Sequence, residues 1–515
     1  MRLRISLFII AIAALIGITT ICGSGTNPSR HVVLVVWDGM RPDFITEKYT
    51  PTLDKLAHEG VRFRNHHSVY PTATDVNGAA LATGCYPNRN GLAANLEFRP
   101  AINSRHPIDM GDPDSIRRGD EVSGGKYLAI PTFVELLRAA GKKVALVGVK
   151  SVAILFDRHN DWTWVRIRGK PLTIFAAAPL GPPAREEMIK ALGPIPDDPS
   201  ANSLQRNHFA TRALTEYFWR DGVPEFSLLW LSEPDLAEHN FAPGSPEAIA
   251  AIKAVDDDLA MVLSALEKKK VRDSTDVFVV SDHGFSTIRR SIDVVALLNN
   301  AGFRAAKEFL DKANPGDILV AGNGGTVLFY IKDRDRKVAQ RLVDWLQHSD
   351  FAGIIFTREK FEGTFSLTDV HIDSQNNADV VLSLRASAEG NHFGVAGLID
   401  ADWNRKAGEG THATMSRFDV RNVCIAQGPD FRHGFETAVS SGNIDIAPSI
   451  VGIVGLRRPP DQIDGRLLEE AMIHQPDQVS EQPKRPTDFL RATHEDWQQN
   501  LAITHVGGTV YFDEQ

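Results

Sequence analysis

The sequence predicts an α/β protein, with a doubly wound, mostly parallel central sheet flanked by helices and a small α+β insertion. Three observations carry that expectation. Short apolar, β-branched runs recur along the chain, helical patterns lie between them, and polar or charged residues stand just past the carboxyl ends of the runs. A run that is apolar at consecutive positions suits a strand covered on both faces, as in a parallel sheet. Such sheets bind ligands beyond the carboxyl ends of their strands.

The elements follow in order. Arg2 and Arg4 precede an apolar run from Ile5 to Ile21, which reads as an export signal or N-terminal membrane anchor over residues 1–25. Cleavage, anchoring and lipidation at Cys22 all stay open, and each implies an exported protein. The catalytic-size domain is expected over 30–460, starting with the strand-like run His31–Trp37. Comparable runs are Val144–Val149, Phe226–Leu231, Val277–Val280 and Val423–Ala426. Helical patterns occupy Thr52–His58, Pro131–Ala140, Asn207–Trp219 and Ser245–Lys268. Between about 290 and 405 the pattern changes to an insertion. It holds a strand-like Gly322–Ile331, a helix at Asp335–His348 and a strand at Ala378–Leu384. From 461 to 515 the chain reads as a polar extension that closes with a short strand at Gly508–Phe512.

Bulk properties exclude several classes. With 43% hydrophobic and 23% charged residues the chain has ordinary globular composition, which sets disorder aside. A net charge of −9 and the lack of a long Lys/Arg run suggest no nucleic-acid groove. Three cysteines, none in a CxxC pair, make no disulfide framework.

The residues that suggest chemistry stand in four clusters. Asp38 ends the first strand in Trp37-Asp38-Gly39. Asp235 and His239 are spaced i, i+4, so one helical turn puts a carboxylate and an imidazole on one face, a common way to hold zinc. Asp282 and His283 end another strand, followed by Gly284, which permits a sharp turn. His412 lies in Gly410-Thr411-His412-Ala413. Each residue alone has a bland reading as a loop cap or a surface histidine; four strand-end clusters with three Asp and three His do not. Thr74, in Tyr70-Pro-Thr-Ala-Thr-Asp-Val-Asn-Gly78, would by itself read as a helix cap. A threonine hydroxyl becomes a nucleophile only when a metal or base activates it.

These pieces, in this order, resemble the alkaline phosphatase superfamily, and within it the type I phosphodiesterase/nucleotide pyrophosphatase family. The resemblance runs from about Val32 to Leu456 and is loose over the insertion. It rests on Asp38-Gly39, Thr83-Gly84-Cys85-Tyr86-Pro87 to Gly91, Asp235/His239, Ser281–Gly284, Gly410–His412 and the helix start Asn443–Pro448. It implies two zinc ions, with manganese or iron as alternatives. One would be held by Asp235, His239 and His412, the other by Asp38, Asp282 and His283, with the Thr74 oxygen bridging toward it. It further implies that Thr74 attacks phosphorus to give a phospho-threonine intermediate, and that Asn95 binds a phosphate oxygen.

Some positions depart from the family pattern. The family's Thr-Phe-Pro-Asn-His reads Thr74-Asp75-Val76-Asn77-Gly78, which sets a carboxylate beside the nucleophile, and Thr72 is a rival nucleophile. Some monoesterases carry a Lys-x-Arg pair where this chain has Lys150-Ser-Val152. Half a clamp favours a monoanionic diester over a dianionic monoester. The expected substrate is a small phosphate diester or pyrophosphate, such as a nucleotide or lipid head group, with Lys150 as a phosphate contact. Phe156, Trp162 and Trp164 would line a leaving-group pocket or pack a core. The alternatives are a phosphate monoesterase or phosphonate hydrolase of the same fold, or a non-catalytic exported binding module. No oligomeric state is implied.

Overall fold

The computed structural model describes residues 30–158, 164–167, 170–173, 183–196, 203–309, 313–456, 463–473 and 488–515. The N-terminal apolar run and Trp162 lie outside the described residues. Among the described residues no helix is long and apolar enough to cross a membrane.

The central sheet has seven strands. From edge to edge they are Phe435–Thr437, Val61–Phe63, Cys424–Gln427, Thr275–Val280, His31–Trp37, Phe226–Leu231 and Val144–Gly148. Only Cys424–Gln427 runs antiparallel to its neighbours, so the sheet is mostly parallel as the apolar runs predict. The strand His31–Trp37 shows why its sequence is continuously apolar. Val32, Leu34 and Val36 face one core with Phe133, Phe156 and Trp230, while Val33, Val35 and Trp37 face another with Ala210, Val255 and Leu259. Successive side chains of a strand point to opposite faces, and helices cover both faces here. The long helix Pro246–Lys268 starts with the Ser245 side chain accepting the Ala248 N–H and lines the second of these cores.

A second, six-stranded sheet runs Ala305–Ala306, Ile318–Asn323, Thr326–Ile331, Val380–Leu384, Ala352–Thr357 and Phe365–Ser366. Helices Val294–Asn300 and Arg336–Gln347 share a core with it. The run Gly322–Ile331 is not one strand: Gly322 and Asn323 end the first arm of a hairpin, Gly324, at φ 74°, turns the chain, and Thr326–Ile331 is the return arm. The long pattern at Asn207–Trp219 also divides, into an α-helix Ser203–Arg212 and a π-helical segment Ala213–Phe218.

The C-terminal segment holds more structure than its polarity suggests. Strands Asp488–His494, Trp497–Val506 and Thr509–Glu514 form an antiparallel sheet. It is tied down by a fully buried pair, His67 Nε2 to Asp513 Oδ1 at 3.0 Å.

Candidate two-metal active site

Every cluster read from the sequence meets at the carboxyl ends of the central strands. Asp38 follows His31–Trp37, Asp235 opens the helix Asp235–Phe241 after Phe226–Leu231, and Asp282 and His283 follow Thr275–Val280. His412 arrives from the other side, after the short strand Gly410–Thr411. Two groups form: Asp235 with His239 and His412, and Asp38 with Asp282 and His283. Within each group the ligand atoms lie within 4.8 Å of one another.

The hydrogen bonds around these groups fix which atoms face inward. Each histidine spends Nδ1 on a backbone carbonyl: His239 on Gly410 at 2.9 Å, His412 on Thr72 at 2.7 Å and His283 on Gly284 at 2.9 Å. A carbonyl can only accept, so Nδ1 carries the proton and the Nε2 lone pair is left for a ligand. The Nε2 atoms of His239 and His412 lie 3.2 and 3.6 Å from Asp235 Oδ1, and that of His283 lies 3.2 Å from Asp282 Oδ2. Those two carboxylate oxygens are buried and have no hydrogen-bond partner. An unmatched buried carboxylate oxygen is costly, and a cation would satisfy it. Burial also holds His283 and His412 below the usual histidine range, which keeps them neutral as metal ligands must be. The donor set of carboxylates and imidazoles suits zinc and its divalent neighbours.

Asp38 is held from both sides. Its Oδ2 accepts the indole N–H of Trp230 at 2.7 Å, and its Oδ1 accepts Lys150 Nζ at 2.7 Å. Lys150 also reaches Asp235 Oδ2 at 2.5 Å, so one ammonium spans the two groups. Burial alone would lower the lysine's pKa, but Asp235, Asp38 and Asp282 outweigh it and keep the ammonium charged.

Thr74 is the first residue of the helix Thr74–Thr83, with its Oγ1 3.1 Å from His283 Nε2. A helix start is favourable ground for an anion. The Asp75 N–H donates to Asn95 Oδ1 at 2.8 Å, which fastens Asn95 beside Thr74. The Asp75 carboxylate lies against Gly111, whose absent Cβ would fall 2.4 Å from Asp75 Oδ1. Burial and the nearby Asp109 push Asp75 well above the usual carboxylate range, which eases the conflict with an incoming phosphate.

The rival readings separate. Thr72 donates its hydroxyl to the Thr414 carbonyl at 2.9 Å and is fully buried. Val152 is also buried, and a Cβ on Gly78 would fall 2.2 Å from its Cγ2. It thus fills the space left by the glycine that stands where the family has histidine. Phe156 packs edge-on against Phe133 and Trp230 in the core, and Cys85 is a buried packing residue. Two supporting residues, Trp230 and Asn422, stand in no sequence motif, and Asn77 stands in the Thr74–Gly78 motif without a task. Asn443 was part of a motif but without a task. Nothing in the composition of a buried strand singles out Trp230; only its place one strand from Asp38 does.

A cavity of about 180 Å³ opens beside the first group, lined by Asn95, His239, His412, Asn323, Asn404 and Arg405. A larger cavity, about 900 Å³, is lined by other residues, Phe98, Phe309 and Tyr330 among them, and by none of the predicted site residues.

The fold and site define an alkaline-phosphatase-like protein with paired Asp/His clusters. The model of the type I phosphodiesterase/nucleotide pyrophosphatase family matches residues 32–389, and the chain belongs to that family. It is similar to venom phosphodiesterase 2 of Crotalus adamanteus, 25% identical over 276 residues. That match covers 52% of this chain but only 28% of the venom protein. It is also similar to ectonucleotide pyrophosphatase/phosphodiesterase family member 7 of Rattus norvegicus, 22% identical over 413 residues and 79% of each chain. Among solved structures it resembles an inactive variant of murine ectonucleotide pyrophosphatase/phosphodiesterase 5 in complex with AMP. The TM-score is 0.56 at 17% identity, over 84% of this chain and 96% of the other.

Proposed function

We propose that this chain is an exported, metal-dependent hydrolase of phosphodiester or pyrophosphate bonds in small phosphate esters, nucleotides or lipid head groups, with Thr74 as nucleophile. One observation carries the reading: three histidines each spend Nδ1 on a backbone carbonyl and turn Nε2 toward buried carboxylates. Asp235, His239 and His412 would hold one divalent cation, and Asp38, Asp282 and His283 the other, zinc before manganese or iron. Bound there, the metals supply Lewis-acid stabilisation of charge on phosphoryl oxygens.

The remaining chemistry belongs to the chain. Thr74 forms the bond to phosphorus as the bond to the leaving oxygen breaks, and water then releases the phosphoryl group from Thr74 in a second displacement. The Asn95 amide, fastened by the Asp75 N–H, donates to a phosphoryl oxygen where charge grows. Lys150 holds Asp38 and Asp235 together and adds positive charge. Val152 brings no second cation, which supports diesters over monoesters. The small cavity lined by Asn323, Asn404 and Arg405 suits a polar, hydrogen-bonding substituent on the ester.

The test is a paired rate measurement on bis-p-nitrophenyl phosphate and p-nitrophenyl phosphate, with added zinc, with chelator, and as Thr74→Ala. Faster diester cleavage that chelator and mutation both abolish is expected. Dominant monoester cleavage would replace the diesterase reading with a phosphatase. Absence of metal-dependent cleavage of either ester would overturn both.

A further inference from the structure

The sequence motif Asn443–Pro448 has no part in the chemistry above, yet Asn443 sits beneath it. Asn443 is fully buried. Its Nδ2 donates to the backbone carbonyl of Asp282 at 2.7 Å and to Asn77 Oδ1 at 3.0 Å. Asn77 lies three residues after Thr74 on the same helix, and its own amide also bonds the Val69 N–H and carbonyl at 2.8 and 3.1 Å. The other face of Asn443 is an acceptor: Oδ1 lies 3.1 Å from His66 Nε2 and 3.2 Å from Asn422 Nδ2. Asn422 in turn donates to the carbonyl of Ser281 at 2.5 Å.

This pattern fixes the amide's orientation, because two acceptors face one end and two donors the other. His66 takes part as a neutral ring: burial, then the adjacent His67, lower its pKa to about 3. Every hydrogen-bonding position of the Asn443 side chain is therefore used, and its two donations go to different bodies. One goes to the turn that carries Asp282 and His283, the other to the helix that carries Thr74. No other residue type of this size offers two donors and an acceptor in one plane.

We propose that Asn443 is a positioning residue that sets the placement of Thr74 relative to the Asp282–His283 turn. The proposal rests on the phosphoryl-transfer reading for its catalytic consequence and on geometry alone for its structural one. Loss of a supporting residue of this kind costs roughly 10- to 100-fold in activity or metal affinity.

The test uses the full chain as Asn443→Ala and the milder Asn443→Ser. On bis-p-nitrophenyl phosphate with saturating zinc, kcat should fall about 10- to 100-fold while KM stays within about threefold. A merely structural role would lower the melting midpoint and leave kcat of the folded enzyme unchanged. The visible absorption of the cobalt(II)-loaded protein gives a readout independent of turnover, since Asp282 and His283 shift against the metal; the expected result is a displaced band in both variants. A changed spectrum in a chain whose wild type hydrolyses neither ester would retain the positioning role and refute the phosphoryl-transfer reading. Wild-type kcat and an unchanged cobalt spectrum in Asn443→Ser would overturn the proposal, as would failure of both variants to fold.

Discussion

Replacing Trp230 with phenylalanine keeps an aromatic ring in the core and removes one N–H, the one that donates to Asp38 Oδ2 at 2.7 Å. Both residues are fully buried, so no water replaces the lost donor. A hydrogen bond to a charged group contributes about 1.5–3 kcal/mol, and Asp38 is the carboxylate that spans Lys150 and the Asp282–His283 group. If Asp38 loses that orientation, the loss appears in metal binding as about a 10- to 140-fold weaker affinity. A competitive titration of metal-free Trp230→Phe against a chromophoric chelator measures it. Trp219→Phe is the control: Trp219 is equally buried and donates to Ser227 Oγ at 2.9 Å, away from the metal groups. It should lose stability of similar kind and no metal affinity. Equal affinities for Trp230→Phe and wild type, or equal losses in both variants, would show that the indole N–H does not orient Asp38 for metal.

Three further outcomes are expected. Thr72→Val should keep turnover within about threefold while costing about 1 kcal/mol of stability through its lost bond to Thr414, whereas Thr74→Val should abolish turnover; the reverse pattern would exchange their roles. Gly78→Ala should destabilise by about 1–3 kcal/mol because its Cβ meets Val152, and Val152→Ala should relieve part of that loss, read as a coupling in denaturant melts. Burial, then Asp430, push Asp276 up to about 8, so its ionised form is the destabilised one and the folding penalty grows as pH rises from about 4 through 8. Asp276→Asn should therefore raise the melting midpoint more at pH 8 than at pH 5; an equal gain at both would contradict the shift.

The legible parts of the fold were those with two-sided burial. His31–Trp37 and Phe226–Leu231 match the observed strands residue for residue, because a strand covered on both faces writes its identity at every position. The edge strand Phe435–Thr437 and its neighbour Val61–Phe63 have only three residues each and no such signature. In the C-terminal sheet, Asp488–His494 has no buried residue, so it reads as polar extension. Asp38, Asp235/His239 and Asp282/His283 were legible because each follows a recognisable apolar strand, whereas His412 follows only the two-residue strand Gly410–Thr411. The six residues lie together in two groups that could hold a metal. The supporting shell was not legible. Trp230 looks like any strand tryptophan, and Asn77, Asn422 and Asn443 come together only through pairings 21 to 366 residues apart.

In the proposed mechanism Thr74 becomes covalently attached to phosphorus. Zinc-loaded wild-type protein, mixed with bis-p-nitrophenyl phosphate and quenched in acid within one turnover, can be digested and its peptides weighed. The expected result is a phosphoryl-ester adduct on Thr74, missing from Thr74→Ala and from chelator-treated protein. Turnover with the adduct on Thr72, or with rapid product release and no adduct at all, would contradict it.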